Sequence, residues 1–523
     1  LMVSGAIAKG KFIREQITPI DGNQGPYHLS GANGELFFTV LASTEKVFID
    51  GQLMTRGADQ DYIIDYNTAE ITFTAKRPIT KDSRIQIEFE YSDRNFLNSL
   101  VYANDEIDVK HKLKVSVGVY SNVDAKNSPI NQTLNTDQKQ YLAQIGNKID
   151  SAYYPDAVRD TFSTNTILYK KLDTVYNGIH DSIFVYSTSP GDTLYNVGFT
   201  QVNPGKGDYI PANTNANGQV FLWVQPVNGV SQGNYAPVVR LVTPQKHQVV
   251  TTSAQYFFND RTYVRGQFAL SNNDVNTFSR LDKSGDHGAA AKIEFASQSK
   301  VLGKSRKGLT LQSGLNYEYV QDHFSPVERL RNVEFNRDWG LPYDAAPATE
   351  NLLSGSLQLQ DNQHNYVRYE ITHYSRSDKF EGLRNVVDHL MNFKDWQIKD
   401  QLFISSTQYG SQKGNLFRPS VDVSRIFPKW DHMTLGAGYS SQQSRQLDQK
   451  ADTLTSGSYS YGLWQVYLKS DLKKMNRWGL SYSERTNRIP LQKDLIVGDR
   501  SRNANLTAEF LKNRNRNLKM DLT

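Results

Sequence analysis

From about residue 246 onward, apolar and polar residues alternate in runs separated by polar turns. Leu309, Leu311, Leu315, Tyr317 and Tyr319 fall on one parity, and Thr310, Gln312, Asn316 and Glu318 on the other. Leu353, Leu357 and Leu359 alternate with Ser354, Ser356, Gln358 and Gln360. Val367, Tyr369 and Ile371 alternate with Arg368, Glu370 and Thr372. The same period recurs at Met433, Leu435, Ala437 and Tyr439, and at Leu506, Ala508 and Phe510. Successive side chains on a strand point to opposite faces, so this period predicts strands with one apolar and one polar face. About a dozen such runs, each close to the ~9–11 residues of a membrane-spanning strand, predict a mostly all-β chain with an antiparallel up-and-down meander.

Two regions precede the meander. Residues 1–95 read as a small β-sandwich-like module. Asp50-Gly51 between Val47-Phe48-Ile49 and Leu53-Met54 is a strong hairpin signal, and Asn67-Thr68 makes a second turn. Ile85, Ile87, Phe89 and Tyr91 alternate with Arg84, Gln86, Glu88 and Glu90, as on a half-buried strand. Gly22, Gly25, Gly31 and Gly34 punctuate the stretch before it. Residues 96–245 read as a mixed α/β insert. Residues 110–120 alternate, and residues 137–152 suit one short helix with Tyr141, Leu142, Ile145 and Ile149 near one face. Prolines 204, 211, 226, 237 and 244 then break up a loop-rich segment. Residues 246–523 make up the third region, the meander itself.

Period two is shared by soluble sheets and lipid-facing barrels, which differ in where the apolar face turns. Three features favour a transmembrane β-barrel, of which the meander forms part. The runs exceed the five or six residues usual in soluble strands. Pro326, Pro428 and Pro490 fall at expected turns. Small residues (Gly266, Ser313, Gly355, Ala437) interrupt the apolar faces, where a close-packed core would be left with cavities. The lipid-facing set is then Leu309, Leu311, Leu315, Tyr317, Leu353, Leu357, Leu359, Val367, Tyr369, Ile371, Leu435 and Tyr439. The lumen-facing set is Arg265, Gln267, Gln312, Glu318, Arg368 and Glu370. Tyr256, Phe257, Tyr374, Phe427, Trp430, Tyr459, Tyr461 and Trp478 lie near run ends and suit interfacial girdles, or else cross-strand packing.

Composition narrows the classes. The chain has 523 residues, enough for more than one domain, and no apolar run long enough for a transmembrane helix. A net charge of +5 is too small to indicate nucleic acid. The absence of cysteine excludes disulfides and thiolate metal sites. Tyrosine is abundant at 29 residues, as in exported β-rich chains. Starting at Leu1 and ending at Thr523 inside a strand-like run, the sequence reads as a fragment cut at both ends, including the C-terminal side of the barrel.

No catalytic or cofactor-binding motif stands out. Pro204-Gly-Lys-Gly-Asp-Tyr lacks the rest of a P-loop and has Asp208 where a hydroxyl is needed. Asn213, Asn215 and Asn217 have the spacing of half a calcium loop, but all are neutral and no closing Glu follows, so a turn is expected. Asp59, Asp61 and Asp65 share parity and read as solvated surface. The histidines form no metal-binding pattern, and no nucleophile elbow occurs. The basic residues Lys512, Arg514 and Arg516 sit where a hairpin turn is expected. The expectation is a non-catalytic chain without cofactor or metal.

The stretch GNQGPYHLSGANGELFFTVLASTEKVFIDGQLMTRGADQDYIIDYNTAEITFT resembles a segment of large surface and outer-membrane proteins of Bacteroidota. Its features are the Val47-x-x-Asp50-Gly51 hairpin, the Arg56-Gly57 to Tyr66 run and the Ile71-Thr72-Phe73 strand. It is distantly like modules of the type 9 secretion translocon barrel SprA, and PGKGDY, NGQVFLWV and QGNYAPV look like the same group. The resemblance covers about residues 15–95 and 200–245 and implies an outer-membrane location with surface-exposed loops. The expected function is passage or docking of a macromolecule or polysaccharide. The expected partners are outer-membrane lipid and partner outer-membrane or periplasmic proteins, with no nucleic acid. The alternative is a secreted or surface-attached β-rich adhesin. A carbohydrate-active enzyme, with Trp223, Trp339 and Trp396 stacking sugars, ranks last because no acid/base pair assembles.

Overall fold

The structure is a computed structural model. It describes all residues except 1, 7–9, 21, 32–37, 75, 78, 81–82, 93–95, 131, 177–178, 203–204, 213, 215, 217, 301–307, 343, 472–473, 514–515 and 523. Gly34, Pro204, the three asparagines 213, 215 and 217, and Arg514 therefore lie outside the described residues. Strands account for 62% of the chain and helices for 5%.

The alternating segments pair into one antiparallel sheet of 17 strands. It begins with Met2–Ala6, Phe96–Val109 and Leu113–Pro129 and continues at Lys246–Asn259. From there each strand pairs with the next along the chain, ending at Arg516–Leu522. Among the described residues Met2–Ala6 and Arg516–Leu522 are the two edges, and no pairing closes the sheet between them.

Three details depart from the sequence expectation. Residues 96–129, assigned above to the insert, are two long strands of the sheet. Charges on both faces at Asp105, Glu106 and Asp108 hide the period of Phe96–Val109, which the ladder to Leu113–Pro129 holds in register, whereas most of the alternating stretch 110–120 lies in Leu113–Pro129 as a strand. The strands are also longer than the apolar runs. Met433–Asp448 has 16 residues because its ladder continues through a polar tail that shows no alternation of hydrophobicity. Finally, Pro490 lies inside Asn476–Leu491, next to its turn, and Pro419 sits mid-strand in Gln412–Phe427. Pro419 has no N–H to donate, and the ladder to Met433–Asp448 lacks pairs at residues 418–419 while keeping one register on either side.

The two ends of the sheet differ. Connections at one end are short: 110–112, 260–261, 301–309, 361–365, 394–395, 428–432, 470–475 and 514–515. The opposite end carries the long segments 7–95, 130–245, 275–286 and 321–349, among short turns at 377–379, 410–411 and 492–493.

The N-terminal module is built as two small sheets. Gly10–Ile17, Ile85–Ser92, Lys46–Ile49 and Gln52–Leu53 form one, and Tyr27–His28, Glu70–Phe73 and Tyr62–Asp65 the other. They share a core of Leu29, Val47, Ile71, Ile85, Ile87 and Phe89. Ile49 pairs with Gln52 across a two-residue turn in which Asp50 (φ 52°) and Gly51 (φ 78°) are both left-handed, as a type I′ hairpin requires. In the insert, the helix is shorter than expected, Thr136–Gln144. Asn135 caps it by accepting from the Gln138 N–H at 2.8 Å, and Leu142 anchors it against Phe96, Ala152 and Leu241. Gly207 and Gly233 bridge each other, so PGKGDY closes a small β-structure with QGNYAPV.

Candidate functional site on the polar face of the sheet

Paired residues in a ladder share a face, so the register carries parity from strand to strand. Gln267, Lys292 and Glu318 form one cross-strand row, and Arg265, Glu294 and Asn316 another. Gln312, Gln358 and Arg368 form a third, and Glu370 pairs with Ser356 on the same side. All six residues of the polar set therefore lie on one face. The apolar set lies on the other: Leu315 leads through Gly355 to Ile371, Tyr317 pairs with Leu353, Leu357 with Tyr369, and Leu359 with Val367. Leu315, Tyr317, Leu353, Leu357, Leu359, Val367, Tyr369, Ile371, Leu435 and Tyr439 are exposed, whereas Leu309 and Leu311 are half-buried. This apolar face has no partner among the described residues.

The polar face is covered in part by residues 321–349, which leave strand Thr310–Val320, fold back and re-enter at Glu350–Gln360. Arg331 forks between Glu318 and, at 2.8 Å, Glu350. Burial alone would lower the Arg331 pKa, but the two carboxylates more than reverse this and hold it above its ordinary value. Asp338 receives Arg418 at 3.0 Å, and its carbonyl accepts from Ser405 Oγ. Trp339 is fully buried among Phe335, Tyr374 and Phe380, with the Arg384 guanidinium 5.2 Å from its ring. Trp339 therefore cannot stack a sugar. Tyr374, Tyr459 and Tyr461 are likewise displaced from the expected girdle: Tyr374 packs beneath Trp339, and Tyr459 and Tyr461 bond Gln442 on the polar face. Sequence position near a run end placed them at the rim, but their parity places them on the polar face of the sheet.

Residues 321–349 also hold the N-terminal module. Arg84 Nε lies 3.3 Å from Glu334 Oε2, and Arg329 lies 3.3 Å from Glu88 and 5.2 Å from the Phe48 ring. The buried Glu88 also takes Arg14 at 3.0 Å. Module, segment and sheet thus form a continuous stack on the polar side. The charges of 321–349 were visible in the sequence, but nothing local marks which strands they meet.

The remaining expectations resolve simply. Tyr256 packs edge-on against Phe258, and Phe427 stacks on Trp430, all near the short-connection end where Phe393 and Trp396 are also exposed. Asp61 bonds the Thr55 N–H and Arg77, and Asp65 accepts from the N–H groups of Asn67 and Thr68 in a turn. Among the described residues no group of His, Asp and Glu is placed to hold a metal ion.

Residues 12–93, which span most of the N-terminal module, match a family described as a domain of unknown function, DUF8818. No curated protein and no solved structure matches the chain.

Proposed function

We propose that the large sheet is part of an outer-membrane β-barrel whose polar face lines a passage or docking cavity for a macromolecule or polysaccharide, without bond chemistry. The observation that carries this reading is the unpartnered apolar face. Eight of the apolar residues named above are exposed together on the three adjacent strands Thr310–Val320, Glu350–Gln360 and Tyr366–Arg376, and a soluble monomer rarely leaves so contiguous an apolar surface open to water. Apart from the two edge strands and Thr453–Leu454, the strands of the sheet have 11–20 residues, at or above the ~9–11 needed to cross a bilayer. Exposed aromatics at the short-connection end suit an interfacial girdle, and short turns at one end against long segments at the other match periplasmic and outer sides. On this reading the N-terminal module and the insert stand on the cell-surface side. The reading requires the edges Met2–Ala6 and Arg516–Leu522 to be joined, directly or through further strands.

Within such a barrel, residues 321–349 narrow the passage. The test is fractionation of the expressed chain followed by gel migration with and without heating. Recovery in the outer-membrane fraction, extraction only by detergent and a heat-dependent shift are expected. A monomeric, detergent-free soluble chain overturns the reading and favours an adhesin.

A further inference from the structure

On the polar face, away from residues 321–349, lies a cavity of about 680 Å³ whose lining reaches Asp260 and Arg261 at the short-connection end, a size typical of small-ligand sites. One wall is a row of neutral amides: Gln298 pairs with Gln312, Gln312 with Gln358, and Gln358 with Arg368. Phe257 and Tyr263 stand at its edge with ring centroids 5.8 Å apart. Asn316 Oδ1, which lines the cavity, is buried and has no hydrogen-bond partner among the described residues.

The chemistry of these groups selects among ligands. Lys292, Arg261 and Arg368 are matched by Glu294, Asp260 and Glu370, so the cavity has no net preference for an anion or a cation. Arg368 is already held by Glu370 at 2.6 Å, and Tyr263 donates to Glu294 at 2.7 Å. A peptide that adds as a strand needs an open sheet edge. Every strand around the cavity is paired on both sides. Amides that both donate and accept, beside the half-buried rings of Phe257 and Tyr263, instead suit a ligand with many hydroxyls and apolar ring faces.

We infer that this cavity is a subsite for an uncharged oligosaccharide. The inference rests on the barrel reading for its place in a passage, but its geometry stands without it. The test is calorimetric titration of the full chain in detergent with maltohexaose, xylohexaose, hexagalacturonate and a Ser/Asn/Gly hexapeptide. Binding of at least one neutral hexasaccharide, insensitive to salt, is expected. Gln358→Ala should weaken it about tenfold, and Ser356→Phe, which fills the cavity from its floor, should abolish it. A wild-type β-sheet circular dichroism spectrum of each variant reports that it is folded. No neutral saccharide binding in a heat-shifting chain overturns the inference and leaves the barrel intact. Binding of the hexagalacturonate alone, or of the peptide alone, also overturns it. Saccharide binding by a chain that shows no heat shift upholds the subsite and removes the passage.

Discussion

Gly382 lies directly under Trp339. A methyl group added at Gly382 would sit 2.8 Å from ring atoms Cε3 and Cζ3 and 3.0 Å from Thr407 Cγ2. The contact is one of backbone against indole, with Arg384 over the same ring. It is what seats residues 321–349 on the sheet. Gly382→Ala should therefore overpack the site by ~1–3 kcal/mol, and Trp339→Ala should leave a cavity costing ~3–5 kcal/mol. Limited proteolysis checks both. Cleavage within 321–349 should accelerate in each variant while the sheet remains intact. Unchanged cleavage would mean that the indole does not hold the segment.

Arg331 joins two carboxylates from neighbouring strands, and all three side chains are about four-fifths buried. Arg331→Met leaves Glu318 without its counter-charge, while Glu350 keeps Arg376 at 3.9 Å. Breaking a buried ion pair in this way costs ~3–5 kcal/mol, less here because water reaches the site. The double change of Arg331→Met with Glu318→Gln should recover part of the loss. Chemical denaturation of the two variants measures the recovery, and equal losses would show that the pair is not coupled.

Asp378 occupies the turn 377–379 and holds Arg376 at 2.8 Å. Burial raises its pKa, but the hydrogen bonds and charge of Arg376 outweigh this and hold the carboxyl below its ordinary value of 3.8. Its contribution to stability is therefore complete above that value and is lost as pH falls through its lower folded value. Asp378→Asn should flatten the acid limb of the stability profile between about pH 5 and 2. Denaturant midpoints across that range test it, and an identical slope in the variant removes Asp378 from the acid response.

Leu357 is 53% exposed in the middle of the apolar face. If that face meets hydrocarbon, Leu357→Arg should cost ~2–4 kcal/mol of folding into lipid vesicles. Gln267→Arg on the polar face should cost little. The folded fraction at each urea concentration gives both values. Equal tolerance of the two substitutions would place Leu357 in water.

Local chemistry was enough to specify the strands, their facing and several turns. Alternation placed all six polar-set residues on one face because period two survives any register that keeps parity. Asp50-Gly51 specified its hairpin because both positions must be left-handed. The tertiary structure alone decided the rest. Residues 96–109 joined the sheet through pairing with Met2–Ala6 and Leu113–Pro129, although charge on both faces masked their period, and the alternation at 110–120 did not reveal that its strand pairs with Lys246–Asn259. Arg331, Asp338 and Trp339 sit in a connection whose α-helix is the single turn Phe335–Asp338, and their partners Glu350, Arg418 and Tyr374 lie on three different strands. Periodicity carries no information about such contacts, because a loop has no fixed direction. Only the folded register brings Gly382, Arg384 and Trp339 to one place.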